Sequence, residues 1–159
     1  MAIREILLDG DPILRKVCKP VTKVDNYVCR LLDDMLETMR KAEGVGLAAP
    51  QVGVLRRVVV IEVEDQVFEL INPVIVQTQG EVTDIEGCLS LPGRAGMVPR
   101  PEVVTVEAVG RDGKTHRYTG EGLLARAFCH ELDHLDGRIY TDLMVEEVDM
   151  SQEEVEEEA

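Results

Sequence analysis

His130, Glu131 and His134 in "FCHELDHLDG" (128–137) are the residues whose types and spacing most clearly serve chemistry. On an α-helix, positions four apart differ by about 40° around the axis, so both imidazoles can reach one metal ion. The glutamate between them then points aside. A buried histidine by itself is more often a hydrogen-bonded core residue. The pair with an intervening carboxylate, in a chain holding only three histidines, favours a metal site. Such a site needs a third protein ligand from elsewhere.

Residue spacing narrows that search without closing it. The pattern that adds a third histidine after a glycine fails, because Tyr140 stands where that histidine would be. A glutamate from a following helix would be Glu153 or Glu154, in a stretch so acidic that such residues prove little. His116 sits mid-strand beside a tight turn and reads as a surface residue. Cys88, in "EGCLSLPG", offers a thiolate suited to zinc or ferrous iron, at a strand end before a Pro–Gly turn. It serves equally well as a small buried hydrophobe, the reading given to Cys18, Cys29 and Cys129.

The elements that must position these groups follow from periodicity. Between Asn26 and Ala42, Val28, Leu31, Leu32, Met35, Leu36 and Met39 fall at helical spacing, and Gly44 ends the run. "RRVVVIEV" (56–63) and "VFELINPVIV" (67–76) read as strands joined by "EDQ", and 81–90 begins as another. "EVVTVEAVG" and "KTHRYTG" flank a turn at Asp112–Gly113. Gly122 opens a second helix that Gly137 stops, with Leu124, Phe128, Leu132 and Leu135 forming its apolar face. The expectation is a single α+β domain, with mainly antiparallel sheets packed around the helix that carries HExxH.

Bulk properties agree. The 159 residues suffice for one core, built from aliphatic residues because Trp is absent and Phe and Tyr together number five. Four cysteines without CxxC spacing point to free thiols in a reducing compartment. The start of the chain shows neither a long apolar run nor a small-residue cleavage pattern, so no signal peptide is expected. No run approaches the roughly 18 apolar residues of a membrane span. The formal charge of −14 concentrates in residues 146–158, which hold eight carboxylates, and the rest of the chain is unremarkable in charge. That sign disfavours direct binding of nucleic acid. Residues 1–145 are expected to form the catalytic unit, and 146–159 an acidic tail, partly helical or disordered.

Three segments, "GVGLAAPQ" (44–51), "EGCLS" (86–90) and "HELDH" (130–134), resemble in order and separation the signature motifs of the peptide deformylases. "DPILR" and "RIYTDL" also look like that family, and the resemblance runs to about residue 145. It implies that Cys88 joins His130 and His134 around one divalent metal. Ferrous iron (Fe2+) is the usual occupant, with zinc, nickel or cobalt able to replace it. It implies removal of the formyl group from N-formylmethionine on new polypeptides. Glu131 would then act as general base, with the Gln51 amide and the Leu89 N–H stabilising the oxyanion and the metal assisting. Val45, Gly46, Leu123 and Ala127 are candidates to receive the methionine side chain. Arg126 is placed at the rim, and Glu86 and Asp133 are candidates to orient an imidazole. Formylated nascent peptides would be the partners of a monomer in the bacterial cytoplasm. The acidic tail argues against ribosome docking through a basic C-terminal helix.

Gly44, Gly46 and Ala49 also match a GxGxxA dinucleotide fingerprint, which requires a strand before it and a helix after it; here the order is reversed. The rival functions are an HExxH endopeptidase with a carboxylate as third ligand, and a closed metal-binding module completed by Asp136 or His116.

Overall fold

The computed structural model describes residues 2–150. Its two α-helices are α1 (Asn26–Lys41) and α2 (Leu123–Leu135). Eight strands follow in chain order: β1 (Gly46–Ala48), β2 (Val58–Val63), β3 (Gln66–Gln79), β4 (Val82–Cys88), β5 (Leu91–Arg100), β6 (Val103–Val109), β7 (Thr115–Glu121) and β8 (Glu146–Val148). They form a five-stranded sheet, β1-β2-β3-β6-β7, and a three-stranded sheet, β4-β5-β8. Every pairing between these strands is antiparallel.

The unbroken apolar run of β2 has a direct cause. Successive strand residues face opposite sides of a sheet, and both sides of β2 are covered. Val58 and Val60 pack with Leu31, Leu32, Met35 and Met39 of α1. Val59 and Ile61 pack with Ala125, Phe128 and Cys129 of α2. The larger sheet is therefore clasped between the two helices. Phe128 is fully buried and meets Phe68 edge to face, its ring centroid 5.7 Å away. Burial of such a ring stabilises the fold by about 2–3 kcal/mol. A third cluster, Leu14, Leu91, Val98, Ile139 and Tyr140, lies under the smaller sheet.

Two expectations change. Pro92 and Gly93 lie inside β5 rather than in a turn. The chain reverses at Leu89–Ser90, because the pairs Glu86↔Gly96 and Gly87↔Ala95, with an irregularity before Cys88, carry the ladder past the Pro–Gly step. The boundary expected after residue 145 also moves. Glu146–Val148 form β8, held to β5 by pairs such as Ala95↔Val148, so the first tail residues belong to the folded unit. The remainder of the expected tail, 151–159, lies outside the described residues. Arg126, placed at the rim, borders the cavity described below while its guanidinium is buried, donating to Val98 O at 2.8 Å and Val82 O at 2.9 Å. Among the described residues, no helix is long and apolar enough to cross a membrane.

Candidate active site

α2 presents His130, Glu131 and His134 along its buried side. The imidazole centroids are 5.0 Å apart, as one helical turn dictates. Cys88 arrives from the other sheet at the end of β4, and its Sγ lies 3.3 Å from His134 Nε2. One ligand atom from each of Cys88, His130 and His134 lies within 4.8 Å of the others. Metal–sulfur and metal–nitrogen bonds of about 2.3 and 2.0 Å in a tetrahedron separate their donor atoms by about 3.5 Å. The sulfur-plus-two-nitrogen set thus fits a borderline-soft divalent ion. His116 takes no part: it pairs with Asp112 on the surface. Asp136 pairs with Arg57.

A buried ionic relay holds one imidazole from behind. Glu86 Oε2 faces His130 Nδ1 at 3.6 Å. Arg100 in turn grips Glu86 through Nη2 at 2.9 Å and Asp133 through Nη1 at 2.6 Å. Asp133 therefore acts on Arg100, not on an imidazole directly. Burial opposes the charged form of Glu86, yet His130 and Arg100 hold its carboxyl below the ordinary glutamate value. The Tyr140 ring stacks on His130 with centroids 6.1 Å apart.

Burial pushes the Glu131 carboxyl up to about 7, and a carboxyl poised near neutrality suits a group that takes up and returns a proton. Its Oε1 is buried without a hydrogen-bond partner. An orphaned carboxylate oxygen beside three converging ligands is what a solvent molecule at a metal position would satisfy. The approach is close because β1 supplies a glycine: a Cβ on Gly46 would lie 2.6 Å from Glu131 Oε2.

Cys88, His130, Glu131 and Gly46 line a cavity of about 330 Å³, with His134 buried behind it. Val45, Gly46, Leu123 and Ala127 all border it, together with Gln51 and Leu89. Val45 and Leu123 are partly exposed and Ala127 is buried, so the apolar wall grades from mouth to floor. Gln51 is buried, with Oε1 accepting from Ala48 N–H at 3.0 Å and Nε2 lying 3.1 Å from Ser90 Oγ. Arg100, Ser90, Tyr140 and Ile85, which also borders the cavity, escaped the sequence reading. An arginine in "MVPR" or a serine after "CL" has no periodicity to mark it. The pairing of β4 with β5 brings Arg100 to the site, and Ser90 follows Cys88 in the turn between those strands.

Two imidazoles and a thiol converging beside a buried glutamate, next to an apolar cleft, form a donor set able to hold a metal in the manner of an HExxH hydrolase. The family model for polypeptide deformylase matches residues 3–150. The peptide deformylase of Acetivibrio thermocellus is 59% identical over 149 residues, which are 94% of this chain and 88% of that relative. That of Alkaliphilus metalliredigens is 54% identical over 147 residues, covering 92% of this chain and 100% of the relative. The crystal structure of a peptide deformylase from Legionella pneumophila superposes with a TM-score of 0.88 at 46% identity, covering 90% of this chain and 86% of that one. One from Synechococcus elongatus, in complex with actinonin, gives 0.88 at 39% identity, covering 94% and 82%. The chain belongs to the polypeptide deformylase family.

Proposed function

We propose that Cys88, His130 and His134 hold one divalent metal, and that Glu131 is the general base of a hydrolysis at the formyl carbon. As a deformylase, the chain removes the N-formyl group from the formylmethionine of newly synthesised polypeptides and releases formate. The observation that carries the residue assignment is the convergence of the Cys88 sulfur on two imidazoles one helical turn apart.

When bound, the metal supplies a Lewis acid and lowers the pKa of water at the site. Glu131 accepts the proton of the attacking water and returns it to the departing amine. The oxyanion that develops on the formyl carbonyl is met by the Gln51 amide, anchored at its oxygen by the Ala48 N–H, and by the Leu89 N–H. Val45, Gly46, Leu123 and Ala127 accept the unbranched methionine side chain, excluding water from the reacting amide. Ferrous iron is the metal we assign, with zinc, nickel or cobalt as substitutes, since a thiolate and two imidazoles accommodate all four. The enzyme acts as a monomer in the bacterial cytoplasm, without direct contact to nucleic acid.

Formate release from a formyl-Met peptide, beside cleavage of the unformylated peptide, tests the assignment. Formate with no internal cleavage is expected. An endopeptidase would cut both peptides and survive Cys88→Ala. Metal analysis of protein purified without oxygen reads the occupant.

A further inference from the structure

We infer that Ser90 is a positioning residue for the Gln51 amide, fixing which of its hydrogens faces the reacting carbonyl. The inference rests on the oxyanion role given to Gln51 above and goes beyond it. A primary amide can present oxygen or nitrogen to a cavity, and only nitrogen stabilises an oxyanion. Two contacts decide the matter here. The Ala48 backbone N–H can only donate, so the atom 3.0 Å from it must be the amide oxygen. Nε2 then faces the cavity side with two hydrogens. One is taken by Ser90 Oγ at 3.1 Å. The other is donated to Cys88 Sγ, 3.6 Å from Nε2, and so points to the side where the formyl group must come once that sulfur is engaged by the metal.

The backbone holds the same two residues in register. Leu7 N–H donates to Gln51 O at 2.7 Å, and Asp9 N–H donates to Ser90 O at 2.8 Å. One short segment, two residues from donor to donor, thus straps the turn holding Gln51 to the turn holding Ser90. Both side chains are about 1% exposed, so water does not readily replace the lost partner. Without the hydroxyl, the amide keeps its oxygen anchor but loses the contact that sets its plane.

Ser90 acts through Gln51 and touches no reacting atom, so its signature is coupling. For Ser90→Ala we expect kcat to fall about tenfold, with KM and metal content unchanged. In a Gln51→Ala background, the same substitution should cost nothing further. Steady-state kinetics on a formyl-Met peptide for the four proteins of that cycle, each with metal analysis, decide it. Should Ser90→Ala not fold, Ser90→Cys, which fills the space with a weak acceptor, takes its place. Multiplying effects, a parental kcat in Ser90→Ala, or loss of metal from it would each overturn the inference while leaving the Gln51 role standing. A parental kcat in Gln51→Ala would overturn both.

Discussion

The two helices of this chain obey different rules. α1 is built by local chemistry. Asp25 caps it, its Oδ1 accepting from Val28 N–H at 3.0 Å, and Arg40 and Lys41 sit in its last turn, where the helix dipole favours cations. Its buried face is mostly aliphatic and sulfur-containing. α2 has no side-chain cap, and its N-terminal flank is Gly122 at a φ of +56°. It buries Arg126, His130, Glu131 and His134 among its apolar residues. Such a helix is held from outside, by the sheet it packs on and by partners on β4 and β5. Local consistency is given up where the chemistry sits.

That contrast can be broken by substitution. Glu131→Ala should keep the metal and lose about 10²–10⁴ in turnover, the span usual for a general base; formate release with parallel metal analysis measures it, and a metal-loaded, active variant removes Glu131 from the role. Arg100→Leu should strand Glu86 as an uncompensated buried charge, lowering stability by about 3–5 kcal/mol and weakening metal retention. Chemical denaturation and chelator competition report the two parts separately. On the α1 side, Leu32→Ala should lower stability by about 2–5 kcal/mol and leave kcat per folded molecule unchanged. A catalytic defect there would erase the distinction between the helices.

The smallest effect is in pH. Asp34 of α1 accepts from the Ala2 N–H at 2.8 Å and pairs with Arg4 at 2.9 Å. Burial opposes its charged form, yet those two partners hold its carboxyl below the ordinary value of 3.8. A depressed carboxyl contributes stability above its unfolded pKa and loses it as pH falls through the folded one. Asp34→Asn should therefore lower Tm at neutral pH, with the gap to the parent closing below pH 3.8. A gap independent of pH would show that Asp34 contributes nothing as an ion.

The same contrast explains what was legible. Both helices announce themselves by spacing, and so does the hairpin turned at Asp112–Gly113. Two layers of cover on β2 were not legible, because an unbroken apolar run does not say what lies on either face. The turn at Leu89–Ser90 was missed in favour of the Pro–Gly step, since strand register outweighed a local turn signal. The imidazole pair was plain in the letters, whereas the Glu86–Arg100–Asp133 relay joins residues from two strands and a helix.

The sequence by itself determined the geometry of His130, Glu131 and His134, because a helical backbone fixes residues one turn apart wherever the helix lies. It also carried the motifs by which family membership is read. Only the tertiary structure decided that the Cys88 sulfur meets those imidazoles, that Gly46 lets β1 approach Glu131, and that Ser90 meets the Gln51 amide. Those meetings depend on how two sheets pack about α2, and no short-range backbone rule specifies contacts between residues dozens of positions apart.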